Sequence, residues 1–249
     1  MQQRFQVRVA SEEDFPELIE KLWESFENPY QPILRLFFPI LDNDRPRSLQ
    51  TCIKGQLEEY HQQQPQVTWV KVVDTEANDR IAAATKWYFY DKNPYPEGGS
   101  TVVADWYPEG IARELATKAV HLFDGPREQR SRRPHAFLHI AFTVPEYRRQ
   151  GLGRLFMEWG LRVADERGWE AWLDASKFGR PLYEQFGFRK VLANYVNPMP
   201  DRDLSDEEKK EWEVYAKVML PVDVTVMWRP PKGIYIEGET PMPWTAETE

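Results

Sequence analysis

The chain has 249 residues, 41% hydrophobic and 14% aromatic, with 20 prolines, one cysteine and a net charge of −8. That is ample apolar material for a packed core, at a length that allows one or two domains. The negative balance, with both signs interspersed, argues against a nucleic-acid partner, and a lone Cys52 excludes an internal disulfide.

A reducing, cytoplasmic setting is therefore expected. The first residues, Met-Gln-Gln-Arg-Phe, carry no hydrophobic signal segment. No apolar run approaches ~18 residues, so no membrane partner is expected.

In chain order, Phe5, Val7 and Val9 alternate with Gln6 and Arg8 and predict a first strand. Ser11 followed by Glu12, Glu13 and Asp14 is a capping start for a helix whose buried face is Phe15, Leu18, Ile19, Leu22 and Phe26. Pro29 to Leu41 is apolar and broken by prolines, and a second helix spans about 47–63. Val67–Asp74 and Ile81–Tyr90 read as a hairpin joined by a polar turn.

Residues 91–134 hold a loop, a helix over 111–123, and the basic run 127–133. Bracketed by Gly125-Pro126 and Pro134, that run reads as a solvated loop.

The stretch that organises the chain is 138–167. Leu138–Val144 is a strand closed by Pro145. From Gly151 the period becomes helical, with Leu152, Leu155, Phe156, Trp159 and Val163 on one face. A helix opening at Gly151 offers unpaired N–H groups and the positive end of its dipole. Gly151 and Gly153 keep side chains out of the way, and Arg148, Arg149 and Arg154 add charge, which together make a seat for a diphosphate. Neither the Gly-Lys-Ser/Thr phosphate loop nor the three-glycine dinucleotide turn is present.

Then come a strand over 169–175, a short helix ending at Gly187, and a strand over 188–196. A charged helix is capped by Ser205, and Val222–Trp228 is a last strand.

Arg148-x-x-Gly151-x-Gly153, between a strand and an amphipathic helix, resembles the acetyl-coenzyme A signature of the GNAT superfamily of N-acetyltransferases. Leu182-Tyr183-Glu-Gln-Phe186-Gly187-Phe188 is similar to the family's second hallmark, in the right order and spacing. The resemblance implies an α/β (α+β) fold: a mixed, mostly antiparallel sheet of about seven strands with helices on both faces. Residues 1–228 would be one domain, with insertions at about 91–134 and 197–216 and a proline-rich tail at 229–249. Long insertions also resemble those of fungal members.

For the site, strand alternation places Leu138, Ile140, Phe142 and Val144 on a core face and His139, Ala141 and Thr143 on a cleft face. His139, with an ordinary pKa near ~6.5, suits proton acceptance, the other reading being a hydrogen-bonded core histidine. The strand resembles that of arylalkylamine N-acetyltransferases, in which a histidine at the place of His139 serves in proton removal. The neighbouring histidine falls here on Phe137. The resemblance makes Tyr183 the general acid for the departing thiolate.

It also places the coenzyme along Ala141, Phe142 and Thr143, with the diphosphate held by Arg148, Arg149, Gln150, Gly151, Leu152, Gly153 and Arg154. Ser176 either contacts the pantetheine or only caps its helix. Tyr30, Phe37, Trp87 and Tyr88 are candidates for an aromatic acceptor wall.

The implied activity is acetyl-CoA-dependent N-acetylation of a small-molecule amine by direct attack, without a metal, in a monomer or homodimer. The alternatives are a protein or peptide acceptor and a non-catalytic acyl-CoA-binding member.

Overall fold

A computed structural model describes residues 4–96 and 101–244. Strand β1 (Phe5–Val9) leads into α1 (Phe15–Glu27) through a short turn in which the Asp14 carboxylate accepts from the Ser11 N–H at 2.8 Å. Helix α1 buries Phe15, Leu18, Ile19, Leu22 and Trp23. The proline-broken stretch contains a short helix α2 (Ile33–Phe37), and α3 follows (Arg45–Gln62), opened by Asp44, whose carboxylate accepts from Arg47 N–H. The hairpin is β2 (Val67–Asp74) and β3 (Arg80–Tyr90).

After it come α4 (Ile111–Glu128), β4 (His135–Thr143), α5 (Leu152–Glu166), β5 (Glu170–Ser176), α6 (Arg180–Gln185) and β6 (Arg189–Val196). Helix α7 (Asp206–Met219) and β7 (Val222–Arg229) complete the set. The sheet has seven strands in the order β1-β2-β3-β4-β5-β7-β6. Every neighbouring pair is antiparallel except β4 with β5.

Residues 86 and 87 show which helices cover which face, since consecutive strand side chains point to opposite sides. Trp87 lies against Gly160 of α5, so close that a methyl group there would sit 2.2 Å from the indole. Lys86 reaches Gln56 and Glu59 of α3 on the other face. Helix α1 shares that second face, with Phe15 against Tyr60 and Trp69.

The basic run is not the solvated loop that its composition predicts. Helix α4 continues through Pro126 to Glu128, and Arg127 is buried. Pro126 cannot donate to the Leu122 carbonyl, which would ordinarily bend or end a helix. Here the Asn194 side-chain amide of β6 donates to that carbonyl at 3.1 Å and to the Phe123 carbonyl at 3.0 Å.

The two segments expected to be insertions pack on one another through α4 and α7. Leu115, Ala119 and Phe123 of α4 share a hydrophobic cluster with Trp212 and Met219 of α7 and with Val222 and Val224 of β7. A third cluster lies on the α3 face of the sheet and contains Tyr88, Phe137, Trp172 and Trp228. The tail after β7 covers it. Tyr235, Met242 and Trp244 pack there, Trp244 meeting both Trp172 and Trp228 edge-on. The remainder of the expected tail, 245–249, lies outside the described residues, as does 97–100 of the first insertion.

Candidate active site

The site begins where two strands separate. β4 and β5 pair in parallel from His135↔Glu170 to Leu138↔Leu173, and the register ends there. Beyond it, His139–Thr143 and Asp174–Ser176 are not paired with each other, which opens a cleft between the two strands.

On its other edge β4 is irregular. Trp87 faces Leu138 and Lys86 faces Ile140, so His139 is an extra residue without a partner in β3. This bulge corrects the alternation read from sequence. Directly paired residues share a face, so Leu138 lies with Trp87 and Ile140 with Lys86, on opposite sides. Ala141 returns to the face of Leu138, opposite Thr85. His139 stays on the α3 face, packed against Tyr88 and Phe137, each 5.5 Å away between ring centres.

At the far end of β4 the chain turns through Pro145–Tyr147 and enters α5. Arg149 and Gly151 both have left-handed backbone, φ 65° and 81°. Such turns leave successive N–H groups pointing into one concavity, the geometry that binds an anion at a helix N-terminus. A Cβ at Gly151 would meet nothing within 4 Å, so glycine is required there by its dihedral angle.

Gly153 is different. A Cβ there would lie 2.7 Å from Leu182 Cδ2, so this glycine lets α5 and α6 approach.

Arg148 is not a free rim charge. Its guanidinium donates to the carbonyls of Thr143 at 3.2 Å, Ser25 at 2.8 Å and Asn28, tying the turn to the carbonyl end of α1. Arg149 is exposed. Gln150 donates to the Glu146 carbonyl, and exposed Arg154 pairs with Glu158 one turn on.

Ser176 ends β5 and accepts from the Gly179 N–H at 3.3 Å in the turn before α6, whose own N-cap is Gly179. Tyr183 on α6 is buried, with its ring against Phe188. Burial pushes its phenol up to about 12, so it holds its proton at neutral pH.

On the α3 face, charged groups gather that sequence reading did not single out. Lys86 is fully buried, pairs with Glu59 at 2.7 Å and donates to Gln56. Tyr88 donates its hydroxyl to the other Glu59 oxygen. Burial opposes ionisation of Glu59, but the Lys86 charge, the nearby His139 and the two hydrogen bonds bring it down to about 2.

Arg127 enters from α4 with its guanidinium 3.9 Å above the Phe137 ring. It pairs with Asp124 and, at 2.8 Å, with Asp174 of β5, and donates to the Tyr95 hydroxyl. His139 is exposed between the two strands. Desolvation by the groups packed around its ring, with the charges of Lys86 and Arg127, lowers its pKa against the pull of Glu59. The imidazole is thereby kept neutral, the form that can accept a proton, but as a weaker base than an ordinary histidine.

The expected aromatic wall divides. Tyr88 is buried on the α3 face beside His139, while Trp87 is fully buried beneath α5 and has no surface for a substrate. Tyr30 is exposed and donates its hydroxyl to the Val218 carbonyl. Phe37 packs against Trp106 and Phe123 in the insertion cluster. Neither of these two joins the group around His139.

A split strand pair, a left-handed glycine turn at a helix start and a buried phenol match what the two sequence hallmarks imply. A model of the acetyltransferase (GNAT) family matches residues 16–188. The chain belongs to the GNAT acetyltransferase family. No curated protein matches its sequence significantly.

Among solved structures, arylalkylamine N-acetyltransferase 2 of Aedes aegypti superposes with a TM-score of 0.57 at 13% identity, covering 92% of this chain and 99% of its own. A structure from Corynebacterium glutamicum, described as histone acetyltransferase HPA2 and related acetyltransferase, gives 0.53 at 21% identity, covering 92% and 97%. At these identities the likeness shows a shared fold.

Signals for the overlooked residues of this GNAT chain were present. Lys86 and Asp174 are charges in the interior of mostly apolar strands. Arg127 continues the buried helical stripe of Val120 and Phe123.

Proposed function

We propose that this GNAT protein transfers the acetyl group of acetyl-CoA to the amine of a small molecule, by direct attack in a ternary complex. The observation that carries this reading is the parting of β4 and β5 after Leu138↔Leu173, with the α5 turn at one end of the gap and the His139 cluster at the other. A thioester arm can lie along Ala141, Phe142 and Thr143 in place of the missing strand. The N–H groups from Arg149 to Gly153 would take the diphosphate, with Arg148 fixing their turn.

Acetyl-CoA supplies the acyl group and departs as a thiol. Tyr183 gives the departing sulfur its proton. In water a phenol is about 1.5 pKa units weaker as an acid than a thiol, roughly 2 kcal/mol uphill. Burial raises both groups, so the difference governs the step and stays small. The Ser176 hydroxyl accepts from the Gly179 N–H in the turn before α6, the helix that carries Tyr183.

A small acceptor is favoured by the cover over the α3 face, where Trp244 closes on Trp172 and Trp228. Acetylation assays with a panel of small amines against a panel of peptides test the reading. Turnover of amines with loss on Tyr183→Phe supports it. Turnover of peptides alone would move the assignment to a protein acceptor, and coenzyme binding without turnover would make the protein a binding member of the family.

A further inference from the structure

Asp174 is the first residue of β5 beyond its last pair with β4, at the point where the cleft opens. It alternates with Trp172 and therefore lies on the face of Phe137, Tyr88 and His139. Its side chain is only 5% exposed. One oxygen, Oδ2, accepts from Arg127 Nε at 2.8 Å, while the other, Oδ1, is buried with no hydrogen-bond partner. A buried carboxylate oxygen left unpaired carries a desolvation cost that native structures rarely leave unmet, which points to a missing donor.

The charges around it identify that donor. On α4, Arg127 is shared between Asp174 and Asp124, with the Tyr95 hydroxyl as its third partner and Glu128 close enough to act on Asp174. With both aspartates ionised, this buried trio carries one uncompensated negative charge. Lys86, also buried on this face, is committed to Glu59 and Gln56. A cation with N–H donors fits the free oxygen. His139 does not supply it, because its surroundings disfavour the imidazolium.

We propose that Asp174 Oδ1 binds the acceptor as a primary ammonium and takes the proton that must leave before nitrogen attacks. This rests on the N-acetyltransferase reading above and names the form in which the acceptor binds. The balance is complete. One ammonium proton passes to Asp174, and the freed lone pair forms the C–N bond. The C–S bond breaks as sulfur takes the Tyr183 proton, the second nitrogen proton restores Tyr183, and Asp174 releases its proton to solvent.

Burial and the charges of Asp124 and Glu128 raise the Asp174 carboxyl to about 6, against the pull of Arg127, close to where a base for neutral pH should titrate.

The experiment takes the amine most rapidly acetylated from a set of 2-phenylethylamine, putrescine, n-butylamine and a lysine peptide. It then compares wild type with Asp174→Asn. Asparagine keeps an oxygen for Arg127 but cannot take a proton, so an anchoring role alone would survive the change. The expected result is a fall in kcat/KM of about 100-fold or more with coenzyme A affinity within twofold. Wild-type kcat/KM should rise through pH 6 to a plateau above pH 7.

A kcat/KM within threefold of wild type and an unchanged profile would overturn the proposal while leaving the acetyltransferase reading intact. Failure to acetylate any amine would instead remove that reading and this one with it. Should Asp174→Asn not fold, the wild-type profile decides. A rate that keeps climbing toward the pKa of the amine, without the plateau, shows that free amine binds and no carboxylate accepts its proton.

Discussion

Gly153 on α5 and Leu182 on α6 approach so closely that a methyl group on the glycine would stand 2.7 Å from Leu182 Cδ2. The helix whose start is the proposed anion seat therefore rests directly on the residue before the buried phenol. Gly153→Ala should gain about 0.5–1 kcal/mol of helix propensity and displace the flexible end of Leu182. The expected outcome is a Tm within a few degrees of wild type and a fall in kcat larger than any loss of coenzyme affinity. Steady-state kinetics with isothermal titration of coenzyme A checks it.

Tyr183→Phe removes one oxygen from a buried ring that packs against Phe188. The ring contacts remain, so thermal stability should hold within about 1 kcal/mol. Turnover should fall by about 100-fold or more, the usual range for loss of a positioned acid, with coenzyme binding preserved. Unchanged kcat would remove Tyr183 from the chemistry.

Gly160→Ala addresses the packing of α5 on the sheet. Its Cβ would sit 2.2 Å from Cε2 of Trp87, a fixed, fully buried indole rather than a flexible chain end. Overpacking of this kind costs about 1–3 kcal/mol. A lowered urea midpoint is expected, with KM for the coenzyme unaffected.

The Glu59–Lys86 pair makes a prediction about pH. The folded-state pKa of Glu59 lies near 2, below its ordinary value, so the stability it contributes is present above about pH 4.5 and is lost as pH falls toward 2. Burial lowers the Lys86 pKa at the same time, and the pair as a whole adds little. Removing one member is another matter. Glu59→Gln would leave a fully buried ammonium, at a cost of about 3–5 kcal/mol, and Lys86→Met in the same chain should recover much of it. Urea unfolding of the two variants at pH 7, and of wild type from pH 5 to 2.5, checks both statements.

Much of this architecture is legible in the amino-acid order, because periodicity reports local burial. The first strand, the hairpin and the apolar stripe of α5 all appear where the pattern places them, although along β1 the burial does not alternate and Val9 is exposed. What the pattern does not carry is register between strands. The bulge at His139 arises from how β3 aligns with β4, so alternation along β4 alone assigns Ile140 to the wrong side.

Arg127 was hidden for a related reason. A basic run beside Gly-Pro reads as solvated unless the partners that repay its burial, Asp124 and Asp174, are already known to meet it. The same long-range meeting gives Asp174 its unpaired oxygen.

Trp244 closes against Trp172 and Trp228, and this has a consequence for the order of synthesis. A ribosome delivers β5 well before the residue that shields its indole. Until translation reaches Trp244, the aromatic wall beside the cleft stands uncovered, and the nascent enzyme presents a sticky patch where its finished form has a roof.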